Sequence, residues 1–321
     1  MSEQKQTLTI QQAIDLGVQH HKAGRLSEAE SIYQQILLSE PNQPIALHLL
    51  GVIAHQVGRN DTAVDLIARA LALNPDLAEA HSNLGLALQD LGRSEDAIAS
   101  YHKALALNPN YPEAHNNLGL ALQDLGKSED AIASYREALA LKPNYADAHF
   151  NLGHALQDLG KLDKSVASYY EVLAIKPDYV EAHNNLGNAL QNLGKLDEAV
   201  VSYHKALAIK PDFVEAHTNL GAALQELGKF DGAVASYRSA LAIKSDSAEL
   251  HANLGNALAQ LGYPGEAKKS YQDALAINSD YAEAHNNFGN LLKASGKTDD
   301  AFASYQKALA IKPDYAEARY N

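Results

Sequence analysis

The sequence PDLAEAHSNLGLALQDLGRSEDAIASYHKALALN, residues 75–108, decides the fold because nearly the same sequence follows it at once. Residues 109–142 read PNYPEAHNNLGLALQDLGKSEDAIASYREALALK, and 26 of the 34 positions are identical. Further copies begin at Pro143, Pro177, Pro211, Ser245 and Ser279, and more divergent copies begin at Thr7 and Pro41. A period this regular is typical of repeat proteins, in which each unit packs only on its neighbours.

The copies divide the whole chain, and no linker or change of composition separates them. We expect an N-terminal tail over residues 1–6, two divergent repeats over 7–74, seven regular repeats over 75–312 and the start of a truncated further repeat over 313–321. Repeats are numbered 1 to 9 from Thr7. Positions within a repeat run from 1, which is Pro75 in repeat 3, to 34.

Each repeat is predicted to form two helices. Position 2 is Asp or Asn and position 5 is Glu or Asp, as in Asp76 and Glu79, which predicts a capping box and a first helix that begins at position 2 or 3. Gly at position 18, such as Gly92, predicts the end of that helix. A second helix follows, with Ala97 and Tyr101 on its inward side. The chain is therefore expected to be all-α.

Three residue types recur at fixed positions and are interpreted as packing. The glycines fall almost entirely at positions 11 and 18, and a Gly inside a helix costs about 1 kcal/mol relative to Ala, so position 11 predicts a close helix contact. Tyr at position 27 is expected in the core. His occupies position 7 in seven repeats, but side chains in neighbouring repeats lie on the order of 10 Å apart, too far to share a metal. We expect no metal site and no cofactor.

Two ladders of amide side chains are the candidate binding residues. Asn is unfavourable inside a helix, so its presence at position 9 in seven repeats calls for a reason. Amides donate and accept hydrogen bonds, and three residues of extended peptide span about 10 Å, close to the expected step between repeats. The predicted peptide-binding residues are Asn83, Asn117, Asn151, Asn185, Asn219, Asn253 and Asn287 at position 9, and Gln89, Gln123, Gln157, Gln191 and Gln225 at position 15. The alternative is that the asparagines bond neighbouring helices or were only copied by duplication.

Composition excludes several classes of function. The net charge of −13 opposes binding to nucleic acid or to an anionic membrane surface. The absence of Cys excludes disulfides, cysteine zinc sites and cysteine nucleophiles. No apolar run is long enough to span a membrane, and together with the missing cysteines this favours a cytoplasmic protein. No Walker loop, nucleophile elbow or HExxH motif occurs, so we expect no catalysis by this chain alone.

The repeat pattern resembles the tetratricopeptide repeat (TPR) family over essentially the whole chain. In one repeat the matching residues are Leu84, Gly85, Ala97, Tyr101 and Ala104, followed by the proline that opens the next repeat. The resemblance implies a right-handed α-superhelix, or solenoid, of about nine helix-turn-helix units whose first helices line a concave groove. It implies a scaffold for protein–protein interaction that holds a protein or peptide in extended conformation.

Two alternatives stay open beside the scaffold. The run AHxNLGxALxxLGK is similar to the repeat region of protein O-linked N-acetylglucosamine transferases, in which groove asparagines contact the backbone of the substrate peptide. This resemblance would assign that role to the seven position 9 asparagines and make the chain the substrate-recognition arm of a larger enzyme, with a catalytic domain beyond Asn321. The second alternative is a self-assembling array, and hence a homo-oligomer, with the Leu-rich second repeat as one candidate surface.

Overall fold

The chain folds into consecutive helix pairs, as the repeat pattern predicts. The structure, a computed structural model, describes residues 8–321, which contain nineteen helices and no strand. The all-α architecture of repeated helix pairs is thereby confirmed. The predicted tail over residues 1–6 lies outside the described residues. None of the described helices has the length and apolar character needed to cross a bilayer.

The helices fall into two compact units, one ending at Leu159 and one beginning at Gly160. The first unit contains α1 (Ile10–Lys22), α2 (Leu26–Ser39), α3 (Pro44–Gln56), α4 (Asn60–Leu73), α5 (Ala78–Asp90), α6 (Ser94–Leu107), α7 (Pro112–Asp124), α8 (Ser128–Leu141) and α9 (Ala146–Asp158). The second unit contains α10 (Leu162–Ile175), α11 (Val180–Asn192), α12 (Leu196–Ile209), α13 (Val214–Glu226), α14 (Phe230–Ile243), α15 (Ala248–Gln260), α16 (Pro264–Ile277), α17 (Ala282–Ala294), α18 (Thr298–Ile311) and α19 (Ala316–Tyr320).

Within each unit, the odd-numbered helices are the first helices of their repeats and the even-numbered helices are the second. A second helix packs both on the first helix of its own repeat and on the first helix of the next one, as α6 does with α5 and α7. Successive first helices also touch one another, as α5 and α7 do in one unit and α11 and α13 do in the other. The surface formed by positions 8, 9, 12, 15 and 16 of the first helices is called the first-helix face.

The predicted core contacts are confirmed. Tyr203 at position 27 is fully buried, and its ring lies directly against the Cα of Gly187 at position 11. A Cβ atom on Gly187 would meet the tyrosine Cε1 at 2.4 Å, a distance that real contacts do not allow. The same Gly–Tyr contact recurs in other repeats, with Gly119 against Tyr135 at the same 2.4 Å. The glycine therefore makes room for the aromatic ring of its own repeat.

The predicted helix stops are also confirmed. All nine position 18 glycines have positive φ angles, between +67° and +78°, which glycine adopts without strain. In repeat 3, the amide of Gly92 donates to the carbonyl of Gln89 at 2.8 Å, and the amide of Arg93 donates to that of Leu88 at 2.9 Å. These two bonds form a Schellman motif, which satisfies carbonyls at the end of the first helix.

The predicted capping boxes at positions 2 and 5 are wrong. First helices begin at position 4, as α5 does at Ala78, and the N-cap residue at position 3 makes no side-chain capping bond in most repeats. Position 2 lies in the preceding turn, where the Asp76 amide donates to Asn74 Oδ1 at 3.2 Å. Position 3 is instead used for packing between repeats, as by the half-buried Tyr111. The acid at position 5, such as Glu113, lies in the first turn, where it interacts favourably with the helix dipole.

Candidate functional site

The predicted amide residues line the first-helix face of each unit. All twelve side chains, the seven asparagines at position 9 and the five glutamines at position 15, are half-buried. They lie between the core and the solvent, where an amide can bond to a neighbouring repeat, to a ligand or to both. Their hydrogen bonds separate these cases.

Four of the asparagines donate to the first helix of the preceding repeat. The Nδ2 donors and their acceptors are Asn83 and His48 Nε2 (2.8 Å), Asn151 and Asn116 Oδ1 (3.0 Å), Asn219 and Asn184 Oδ1 (3.1 Å), and Asn287 and Asn256 Oδ1 (3.1 Å). Asn321, which occupies position 9 of the tenth copy, donates in the same way to Asn286 Oδ1 at 3.1 Å. In these repeats the asparagine joins neighbouring first helices, as the alternative interpretation of the ladder predicts.

The other three asparagines keep a free donor. Within their own units, Nδ2 of Asn117, Asn185 and Asn253 donates to no described residue, although Oδ1 of Asn117 and of Asn185 accepts a bond from the preceding side chain. For Asn253, the residue of the preceding repeat that is equivalent to the acceptor Asn184 is Thr218. The Thr218 hydroxyl donates to the Val214 carbonyl of its own helix at 2.8 Å. The ladder thus contains donors that are used and donors that are available.

Position 8 of the preceding repeat supplies the acceptor for most of the bonded asparagines, whereas Asn287 uses Asn256 at position 12, and the sequence analysis missed both acceptors. Asn116, Asn184 and Asn286 at position 8 are between 1% and 4% exposed, and each accepts the bond from position 9 of the next copy. The available signal is the alternation of position 8, which is Asn in repeats 4, 6 and 9 but Thr or Ala in repeats 7 and 8. An Asn at position 8 of one repeat, followed by an Asn at position 9 of the next repeat, would have indicated the link.

The position 15 glutamines form a second set of links, here called the carboxamide rail. In each link the side chain at position 15 donates to position 16 of the next repeat. The described links are His21 to Gln56 (2.8 Å), His55 to Asp90 (2.8 Å), Gln89 to Asp124 (2.7 Å), Gln123 to Asp158 (3.5 Å) and Gln191 to Glu226. The rail therefore occupies Gln89, Gln123 and Gln191 and four of the acidic side chains at position 16.

The rail also reaches the core tyrosines. The hydroxyl of Tyr203 donates to Gln191 Oε1 at 2.9 Å, and that of Tyr101 donates to Gln89 Oε1 at 3.2 Å. Burial raises the pKa of Tyr101 far above its usual range, and the carboxylates of Asp90 and Asp124 add to the rise. These tyrosines therefore stay protonated at neutral pH and act as hydrogen-bond donors.

The position 7 histidines hold a turn in addition to packing between helices. In repeats 3 to 9, Nε2 lies 2.9 to 3.2 Å from the carbonyl oxygen of position 1 of the same repeat, as in His183 and Pro177. In the tenth copy, Arg319 donates to the Pro313 carbonyl from the same position at 2.6 Å. Among the described residues, no three His, Asp or Glu side chains lie close enough together to hold a metal ion.

A separate apolar hollow lies between the second helices α10 and α12 of the second unit. It encloses about 570 Å³ and is lined by Tyr170, Val201 and Ile209, which are 50%, 54% and 42% exposed. His183 lies at the hollow, and burial lowers its pKa. Exposed apolar side chains grouped in this way make the hollow a candidate interaction surface.

Comparison with known proteins identifies the repeats. The TPR repeat family model matches residues 54–92, 89–126, 123–160, 158–194, 192–228, 225–262 and 289–321, and the tetratricopeptide repeat model matches residues 248–281. No curated protein matches the chain in sequence.

Several solved structures are also similar to this chain. MamA is 31% identical over 50% of this chain and 95% of its own, with a TM-score of 0.48. A tetratricopeptide repeat protein from Parabacteroides merdae is 18% identical over 76% of this chain and 96% of its own, with a TM-score of 0.58. YrrB, described as a TPR protein with an unusual peptide-binding site, is 22% identical over 57% of this chain and 95% of its own, with a TM-score of 0.50. On the sequence matches, which extend over most of its length, the chain belongs to the tetratricopeptide repeat family.

Proposed function

We propose that the first-helix face binds the main chain of an extended peptide through the free amide donors at position 9. The TPR repeats and the TPR structural neighbours support a scaffold for protein–protein interaction. The observation that carries the finer proposal is the pair Asn185 and Asn253, whose half-buried Nδ2 groups donate to no described residue of their unit. Free donors at fixed spacing are suited to peptide carbonyl oxygens, which every residue type offers.

The spacing of the two donors fits an extended chain. Asn185 and Asn253 occupy the same position two repeats apart. At about 10 Å per helix contact, two repeats correspond to a step of about 20 Å, which six residues of extended peptide cover at about 3.3 Å each. Main-chain contacts at this spacing read no side chains, so the binding is expected to tolerate different sequences.

The charges beside the donors favour neutral or basic peptides. In the unit that contains these two donors, position 16 carries the exposed carboxylate of Glu226, although the rail uses it. A lysine lies at the turn instead, where Lys229 bonds to Asp197 at 3.0 Å. An acidic peptide would therefore meet repulsion along the face.

The test compares two matched double variants. Asn185→Ala/Asn253→Ala removes free donors, and Asn219→Ala/Asn287→Ala removes donors that are already bonded within the protein. A fluorescently labelled peptide of repeating Ala-Gly-Lys, with blocked ends, serves as the probe in an anisotropy titration. At about 1 kcal/mol for each hydrogen bond, the first variant is expected to bind about tenfold or more weakly. Asn185→Ala also removes the acceptor of a 3.4 Å bond from Asn184, but Asn184 still donates to Glu215 at 2.9 Å and alanine favours the helix, so the free energy of unfolding should change by less than about 1 kcal/mol.

The second variant provides the control. Asn219→Ala leaves the buried Oδ1 of Asn184 without this donor, so its free energy of unfolding should fall by about 1 kcal/mol or more. A labelled Ala-Gly-Glu peptide should bind more weakly than the Ala-Gly-Lys peptide to the unaltered protein. Equal peptide affinity in the Asn185→Ala/Asn253→Ala variant and the unaltered protein would contradict the proposal.

Self-association is a second candidate function, and helix α12 carries it. Glu198, Val201, Ser202 and Lys205 lie on one side of this helix at the spacing i, i+3, i+4, i+7, beside the hollow between α10 and α12. Among the described residues, neither the Glu198 carboxylate nor the Lys205 ammonium is in an ion pair. If two copies of α12 pack antiparallel about a twofold axis, Glu198 of each copy faces Lys205 of the other and the apolar side chains meet between them.

Charge reversal tests this arrangement. Lys205→Glu would place two carboxylates opposite each other at both ends of the contact, and Glu198→Lys/Lys205→Glu would restore attraction with the signs exchanged. Sedimentation velocity should show dimers for the unaltered protein and the double variant, and monomers for the single variant. A monomer at all concentrations in the unaltered protein would exclude this function.

The enzyme-arm alternative rests on the sequence resemblance alone. It stays a prediction, and the reading frame that surrounds the gene segment for this chain tests it directly. A glycosyltransferase domain encoded in the same frame would support it, and a stop codon directly after Asn321 would exclude a following domain.

A further inference from the structure

The carboxamide rail is interrupted between repeats 8 and 9. In the described links, position 15 carries Gln or His and position 16 of the next repeat carries an acid or an amide. Gln225 and Gln260 of repeats 7 and 8 have suitable side chains, but no bond between them is described, and in repeats 8 and 9 the two positions are Ala259 and Ala294. Both side chains of this link are therefore methyl groups. The space they leave is a hollow of about 440 Å³ on the first-helix face of the second unit.

Amide side chains line this hollow, and no charged side chain among residues 8–321 does. Asn256 and Asn290 at position 12, Gln225 and Gln260 surround it, while Tyr271 and Leu291 form apolar walls. In the intact link between repeats 6 and 7, the equivalent space holds the carboxamide of Gln191, whose oxygen accepts from Tyr203 and whose nitrogen donates to Glu226. The group that is missing from the hollow is therefore a carboxamide.

The hydrogen bonds inside the protein leave both donors and an acceptor for a guest. Asn256 Oδ1 accepts from the Tyr271 hydroxyl at 2.7 Å and from Asn287 at 3.1 Å, so its bonding capacity is used, whereas its Nδ2 has no described partner. Asn290 is arranged in the same way, since its Oδ1 accepts from the Tyr305 hydroxyl at 2.8 Å. Gln225 Oε1 is buried and has no hydrogen-bond partner.

This set of groups selects among guest side chains. A carboxamide can accept from Asn256 or Asn290 with its oxygen and donate to the Gln225 oxygen with its nitrogen. A carboxylate has no proton for the Gln225 oxygen and would lose its hydration without gaining a cation. An apolar side chain of the same length, such as Met, would leave the donors and the acceptor without partners.

We propose that the hollow at Ala259 and Ala294 binds the carboxamide of a Gln or Asn side chain supplied by a peptide that lies on the first-helix face. Asn253, the free donor of the proposed peptide site, lies one turn before Asn256 on the same side of α15. The path of the peptide rests on the proposed function, whereas the carboxamide site itself does not require it. The hollow adds a position that reads a side chain to a surface that otherwise tolerates any sequence.

The test uses small probes that cannot span the ladder. N-acetyl-glutamine N-methylamide is titrated into the ¹⁵N-labelled protein, and the side-chain amide resonances of Asn256, Asn290 and Gln260 are followed. We expect saturable shifts at these groups and about tenfold or weaker binding of the matched N-acetyl-glutamate and N-acetyl-methionine probes, which each lose at least one hydrogen bond. Absence of shifts with the glutamine probe, or equal binding of the methionine probe, would overturn the proposal.

A filling variant provides the matched control. Ala259→Gln/Ala294→Asp rebuilds the link that the other repeats contain, so it should keep its helicity and lose the shifts at Asn256 and Asn290. Undiminished probe binding in this variant would also overturn the proposal, and if the variant fails to fold, the selectivity among the three probes on the unaltered protein still decides. The two proposals fail separately, because probe binding does not depend on Asn185, whereas binding of the Ala-Gly-Lys peptide does not need a carboxamide.

Discussion

Protonation of His48 is predicted to weaken the contact between repeats 2 and 3. This side chain is 6% exposed, and burial lowers its pKa from 6.5 to about 4. Its Nε2 accepts a hydrogen bond from Asn83 at 2.8 Å, which a protonated ring cannot do. Because the pKa is lower in the folded protein than in the unfolded chain, the unfolded chain binds the proton more tightly. The stabilisation is therefore complete above about pH 6.5 and is lost as the pH falls toward about 4.

The size of the effect follows from the two pKa values. Between 6.5 and about 4, the full loss corresponds to about 3 kcal/mol, and about 2 kcal/mol of it should have appeared at about pH 5. His48→Asn is the matched control, because Asn184 accepts the same bond from the next repeat with an oxygen that does not titrate. Urea unfolding of both proteins at several pH values measures the difference between their free energies of unfolding. The contributions of the other titrating groups are the same in both proteins and cancel. If the two proteins lose stability in parallel between about pH 7 and about pH 5, the reasoning is refuted.

Two further substitutions test the packing. Gly187→Ala places a methyl group 2.4 Å from the Tyr203 ring and should lower the free energy of unfolding by about 1–3 kcal/mol. In the control Gly265→Ala, the new methyl group lies in a helix and meets no atom within 4 Å, so the free energy of unfolding should stay unchanged or rise by up to about 1 kcal/mol. Thermal melting of both variants measures the difference. Gln89→Ala leaves the buried Tyr101 hydroxyl without the acceptor at 3.2 Å and should cost about 1–3 kcal/mol in urea unfolding, and an unchanged midpoint would show that the rail does not stabilise the stack.

Features that depend on a single repeat could be predicted from the sequence. The close contact of Gly187 with Tyr203 and the helix stop at Gly92 both follow from residue type and position within one period. The capping prediction failed at Asp76 although the motif was local. The helix begins at position 4 instead, and the position 3 residue before it, Leu77, packs on Ile67 and Leu71 of the preceding repeat.

Features that depend on the neighbouring repeat could not be predicted in the same way. Asn219 and Asn253 occupy the same position and look equivalent in sequence, yet one donates to the buried Asn184 and the other has a free donor. The difference lies 35 residues away, at position 8 of the preceding repeat, which is Asn184 in one case and Thr218 in the other. Hydrogen-bond partners across a stack are therefore properties of residue pairs, and a ladder of identical residues does not reveal them.

The central claim is that the free donors at position 9, and not the bonded ones, hold a peptide main chain. Side-chain amide resonances in ¹⁵N spectra test it most directly, because each asparagine reports separately on its own hydrogen bonds. On addition of the Ala-Gly-Lys peptide, the account predicts saturable shifts for Nδ2 of Asn185 and Asn253 and much smaller shifts for Asn219 and Asn287. Equal shifts for all four, or shifts confined to Asn219 and Asn287, would contradict it.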